Sequence, residues 1–441
     1  MDGLTRNPLI ASGVRCVELL VGYRPRRVAQ SLERYKEMCF CELSHLRSLC
    51  ETLPQLLCQN PEFDVLAASA TYTRILSAWD ECSDRSDVGG NREDGRSPTD
   101  EAAGFQELLY QCHEEYRLRQ EDQDRLLADG SFVAALAVSA ARTKGLRALS
   151  FSDYVYRHTF SGSRKELVRA ANDMTDLREF MVMAKDWGDI EDSSAVPTLP
   201  PVRLLWEVPI ALFENGVHLH ELGVFALPVR STFMLWTWQP AWDRLRDRLR
   251  AACRGLRRVD VGRVHGRFSQ QSPLQAEGKE YTDKYFEALL SGDSLQRIDF
   301  DATFLNTGNS DLEYHIGPAL VPAHYPNLRE LTLEQVSFRQ QELEALIGGL
   351  GSELRSITFL HVEVWDGTWE RPLELLRRKI MRWGRHVNVE IACLHIEGLR
   401  RPDQDDDDGD SDDDWDVSEE TLAYLSRYVS GEKGLSSPFV H

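Results

Sequence analysis

The sequence predicts an α/β solenoid: a ladder of parallel strands with helices outside it, and a helical insertion near the N-terminus. Three observations carry this reading. A six-residue apolar pattern recurs five times, three of the four late copies follow a helical apolar stripe, and a glycine separates stripe from hexad in those three. The 441 residues are enough for one long solenoid or about three domains. With 42% apolar and 28% charged residues, the chain is neither collagen-like nor disordered overall.

From the N-terminus, residues 1–153 read as a strand and helical region. Val28 to Leu57 is helical in pattern and should break at Pro54. Phe63, Leu66, Ala67, Ala70, Ile75 and Trp79 form one helical stripe, and Phe105, Leu108, Leu109, Cys112 and Tyr116 form another. A polar loop at 82–103 separates them, so the two should pack as a hairpin with that loop at its tip. Residues 154–241 form an irregular middle segment of the repeat body, and 242–399 hold the clearest units. Twelve acids and no bases lie between Pro402 and Glu420, which makes 400–417 an acidic disordered loop before a C-terminal helix and tail at 418–441.

The five hexads are Leu146–Phe151, Leu256–Val261, Leu295–Phe300, Leu328–Leu333 and Leu354–Phe359, each apolar at its first, fourth and sixth places. Trp242, Leu245, Leu249 and Ala252 precede Gly255. Tyr281, Tyr285 and Leu289 precede Gly292, and Leu343, Leu346, Ile347 and Leu350 precede Gly351. Trp369, Leu373, Leu376, Ile380 and Trp383 end at Gly384, before the alternating Val387, Val389 and Ile391. These glycines are expected to be left-handed helix caps. Strands joined through helices must run parallel, and one such unit buries too little apolar area to stand alone.

Strand alternation places the fourth and sixth hexad residues inward and the third, fifth and seventh outward. The expected partner-binding row is therefore Arg258 and Asp260; Arg297, Asp299 and Asp301; Glu330, Thr332 and Glu334; Ser356, Thr358 and Leu360. The bland alternative is a set of solvated strand positions. The expected role is protein–protein interaction, without catalysis, metal or cofactor. There is no P-loop, nucleophile elbow or H-E-x-x-H motif. His218 and His220 alternate as a metal pair would but lack a third ligand, and Cys39, Cys41, His45, Cys50 and Cys58 match no zinc-finger spacing. An EF-hand register centred on Gly409 puts Gln404 and Trp415 at ligand positions, which argues against calcium.

From Trp242 to Arg267 nine arginines face three acids, either as the solvated back of a helix or as a patch for phosphate or an acidic partner. Trp206, Trp236, Trp238 and Trp242 read as packing of the middle segment. The net charge of −20 argues against nucleic acid. Nine cysteines with no C-x-x-C and no secretory leader suggest reduced thiols in an intracellular protein of the cytoplasm or nucleus. The small-apolar stretch from Phe132 to Ala141 is half a membrane span, so no membrane association is expected.

The hexads, with Gly13 to Val17, LRALSFSDY at Leu146 to Tyr154, NLRELTLEQVSF at Asn327 to Phe338 and LRSITFLHVEVWDGTW at Leu354 to Trp369, resemble fungal F-box proteins with degenerate leucine-rich repeats. The family's asparagine position holds Thr303, Val336 and Val362, and copies from Leu256 onward start 39, 33 and 26 residues apart, so the solenoid is irregular. The resemblance implies a leucine-rich-repeat-like scaffold in which repeats hold a protein and an F-box docks on the adaptor of a cullin-type ubiquitin ligase. Only Leu53-Pro54-Gln55-Leu56-Leu57 imitates an F-box opening. The expected partner is a protein of unknown identity. The alternative role is a ubiquitin-ligase substrate receptor, with a cullin adaptor as partner if an F-box lies upstream.

Overall fold

In the computed structural model, residues 8–52, 65–83, 100–153, 173–187, 190, 199–227, 242–262, 276–303, 305, 313–392 and 419–439 are described. The strands are β1 (Cys16–Leu20), β2 (Ala148–Ser152), β3 (Glu221–Val224), β4 (Arg258–Val261), β5 (Arg297–Asp301), β6 (Tyr314–His315), β7 (Glu330–Glu334), β8 (Val336–Arg339), β9 (Ser356–Leu360), β10 (Glu363–Asp366) and β11 (Asn388–Ala392). Eight of them form one sheet in the order β1-β2-β3-β4-β5-β7-β9-β11, every neighbour pair parallel.

The register is continuous, so each hexad position makes a row across the sheet. One inward row runs Val17, Leu149, Leu222, Val259, Ile298, Leu331, Ile357, Val389, and the next runs Leu19, Phe151, Val224, Val261, Phe300, Leu333, Phe359, Ile391. From β2 onward these side chains are buried, as are the leading leucines Leu146, Leu256, Leu295, Leu328 and Leu354. Burying such a side chain stabilises by about 1.5–3 kcal/mol. The strand entrances also repeat. Each carbonyl of Arg15, Arg147, His220, Arg257, Gln296 and Arg329 accepts two N–H groups of the next strand, at 2.7–3.1 Å.

The chain divides into two compact units, one of Gly22–Ser131 with Asp153–Asp186, the other of Met1–Val21, Phe132–Ser152 and Trp187–His441. The stretch to residue 153, expected as one region, is thus shared between the two. In the helical unit, α1 (Leu32–Thr52), α2 (Val65–Ser83) and α3 (Asp100–Ala128) pack with the helix Met174–Val182 around Tyr35, Cys39, Leu43, Tyr72, Trp79, Leu109, Cys112, Tyr116, Leu177 and Met181. The two stripes do meet: the Trp79 indole donates to the Phe105 carbonyl at 2.9 Å and the Gln106 amide to that of Ala78 at 3.0 Å. Lys185 is buried against Glu42 at 2.5 Å. The middle of the polar loop and the segment around Pro54 lie outside the described residues.

The ladder unit contains α4 (Ser131–Ala141), α5 (Leu204–Glu214), α6 (Trp242–Cys253), α7 (Ala276–Leu290), α8 (Gln340–Gly349), α9 (Glu370–Trp383) and α10 (Glu419–Val429). Helices α6, α7, α8 and α9 coincide with the predicted stripes. The glycine expectation requires correction: Gly384 is left-handed at φ 65, whereas Gly255, Gly292 and Gly351 are not. Spacing between units explains two of these three. A Cβ on Gly351 would stand 2.1 Å from the Pro326 carbonyl oxygen, and one on Gly292 would stand 3.2 Å from that of Arg254. At Gly255 nothing comes nearer than 3.7 Å, and nothing in the structure requires glycine there.

Beyond the ladder, β6, β8 and β10 form a second parallel sheet with β8 in the middle. The chain enters it through Gln335 and His361, each with positive φ, at 56 and 50. Here His315 Nε2 lies 2.6 Å from Glu342, and the exposed Trp365 ring receives the Arg339 guanidinium at 4.8 Å. At the other end of the ladder α10 covers β11, burying Leu425, Tyr428 and Val429, and Ser426 Oγ accepts the Ile391 N–H at 3.3 Å.

Candidate functional site

All eleven predicted contact residues fall on the outward face of β4, β5, β7 and β9, in three rows. The first is Arg258, Arg297, Glu330, Ser356; the second Asp260, Asp299, Thr332, Thr358; the third Asp301, Glu334, Leu360. Each is half-buried, as expected where a flat sheet surrounds every side chain with neighbours.

Their charges partly neutralise one another. Arg258 Nε is 2.8 Å from Asp260, and Arg297 reaches Asp299 at 3.1 Å and, across to β7, Glu330 at 2.9 Å. These pairs are partly exposed, so each contributes only about 0–1 kcal/mol. Burial pushes the Asp260 carboxyl up despite its arginine. It also raises Glu334, where Asp301 adds like-charge repulsion. Asp301 is held by the Thr303 N–H at 2.8 Å and the Thr303 hydroxyl at 2.5 Å. The result is a shallow, mainly acidic face with two internally paired arginines over a continuous apolar layer.

The same rows continue through residues that sequence reasoning missed. Glu221 stands beside Arg258, Glu18 lies in the row of Asp260, and Asn388 and Glu390 extend the rows past β9. The signal was present: Leu219-His220-Glu221-Leu222-Gly223-Val224 is a sixth hexad, and Val14, Val17 and Leu19 have the same spacing. In the structure His218 packs edge-on against Phe213 at 5.5 Å, while burial, with Arg257 and Arg147 nearby, lowers the His220 imidazole.

Among the described residues no group of three or more His, Cys, Asp or Glu is placed to hold a metal. Cys39 and Cys50 are buried and Cys41 exposed, and burial raises the thiols of Cys39 and Cys50. Within the arginine-rich helix α6, Arg248 binds Glu214 of α5 at 2.6 Å and Arg250 binds Glu287 of α7 at 2.5 Å, so those two tie helices together. Trp206 is buried. Trp236, Trp238, the Trp242 side chain, Arg263, Arg267, Cys58, residues 53–57 and the acidic run up to Ser418 lie outside the described residues.

No family model, curated protein or solved structure matches this chain. The class that the fold defines is a mixed α/β protein built on a parallel sheet with helices. Among the described residues no helix is long and apolar enough to cross a membrane.

Proposed function

We propose that the chain is a protein-recognition scaffold, an irregular leucine-rich-repeat-like solenoid whose outward strand face makes the contact. The observation carrying this is the register. Eleven outward residues on four adjacent strands form three unbroken rows above a buried apolar layer, which keeps their spacing rigid before any partner arrives. Preorganisation of this kind lowers the ordering cost of binding. Helices joined by ion pairs line the ladder unit outside the sheet and leave the outward face to set specificity.

Capture of partners by the full chain, followed by mass spectrometry, tests the reading. Asp299→Ala combined with Glu330→Ala should remove a captured protein while the circular dichroism and melting transition stay those of the wild type. Retention of every partner by the double variant overturns it.

A further inference from the structure

The entrance to the ladder carries a line of arginines with no counterpart on the outward face. The second hexad position is Arg15, Arg147, His220, Arg257, Gln296, Arg329 and Arg355 from β1 to β9 in sheet order. Repetition of the same backbone hydrogen bonds at this position shows that these residues are structurally equivalent. All five arginines are exposed. On the outward face and between the helices, by contrast, Arg258, Arg297, Arg248 and Arg250 are each paired with a carboxylate. Among the described residues none of these five guanidinium groups enters an ion pair; Arg15 and Arg147 donate only to main-chain carbonyls.

The turns leading into the strands reinforce the line. Arg142, Lys144 and Arg254, all exposed, join the five arginines there, against Asp293 and Glu353. His220 lies in the middle of the line, where burial first, and then Arg257 and Arg147, lower its imidazole. Like charges held at strand spacing repel each other, and an anionic partner relieves that repulsion.

We infer that this ridge binds an acidic segment of a partner protein, laid in extended form across the strand entrances. Its dimensions define the ligand. Seven strands at about 4.8 Å spacing give a line of about 29 Å, which an extended peptide of about nine residues spans. The ridge is one residue wide and bordered by the carboxylates of the outward face, including Glu221 and Glu330. The chain as a whole carries a net charge of −20. A short acidic segment avoids the surrounding negative charge, whereas a long polyanion such as a nucleic acid runs into it. This surface is separate from the outward rows and does not depend on them.

Fluorescence anisotropy of a labelled ten-residue oligoglutamate with the full chain tests the inference. Binding should weaken steeply between about 50 and 300 mM salt. Arg147→Gln, Arg257→Gln, Arg329→Gln and Arg355→Gln together should cost about tenfold or more in affinity. Arg117→Gln with Arg125→Gln in the helical unit should leave affinity unchanged. The imidazole of His220, followed by NMR, should titrate at higher pH once the peptide is bound. If the quadruple variant misfolds by circular dichroism, Arg257→Glu and Arg329→Glu are read singly. Undiminished binding in the ridge variants, equal loss in the Arg117/Arg125 control, or tighter binding of a ten-nucleotide single-stranded DNA at the same salt overturns the assignment.

Discussion

At the scale of single residues, the inward rows set the cost of error. Leu331 is buried between Ile298 and Ile357 on the flanking strands, so Leu331→Ala should cost about 2–5 kcal/mol by opening a cavity; urea denaturation measures it, and a neutral result would mean that the inward face is misassigned. Gly351 works through proximity. Gly351→Ala forces its methyl group into the Pro326 carbonyl and should lower the melting temperature by several degrees, an effect of about 1–3 kcal/mol, whereas Gly255→Ala should be close to neutral. Alternation made Leu331 legible in the sequence. The reason for Gly351 was not, because the atom that excludes a side chain there belongs to the preceding unit.

At the scale of elements, the second sheet contains a pH-sensitive group. Glu313 is half-buried, and burial together with Glu363 pushes its carboxyl up to about 7. Its main-chain N–H donates to the Glu363 carboxylate at 3.4 Å. The folded state therefore holds a proton that the unfolded chain releases at ordinary carboxylate pH. The stability this provides is fully present below the unfolded value and is lost as pH rises through about 7. Melting temperatures of wild type and Glu313→Gln, compared between about pH 5 and pH 8, should show the wild type falling relative to the variant as pH rises. The β8–β10 pairing escaped the sequence reading because Gln335 and His361 take left-handed turns that no glycine announces. Those two residues reset the alternation on which the strand prediction relied.

For the whole molecule, a ladder has two ends, and an uncovered edge strand is a template for association. Helix α10 covers the β11 end, and the guanidinium of Arg377 lies 4.0 Å from the centre of the Tyr428 ring. Removing residues 419–441 should expose Val389 and Ile391 and shift the protein to higher-mass species, which light scattering would detect. A truncated chain that remains monodisperse would show that α10 is dispensable as a cover. The assembled rows also explain how one chain of net charge −20 can carry an acidic face and a basic ridge. Strand register sorts position two from positions three, five and seven and stacks each kind with its own.

The sequence by itself determined the hexads, their inward leucines, the outward row and the helices between strands, because period and apolar contrast are local properties of the chain. It also contained the hexads of β1 and β3, which went unread because large insertions interrupt the spacing. Only the tertiary structure decided that eight strands share one register, that two glycines serve contacts between units, and that arginines scattered over 341 positions from Arg15 to Arg355 form one line. Those outcomes depend on which strand lies next to which. Adjacency is settled by packing between residues far apart in the chain, and no local pattern encodes it.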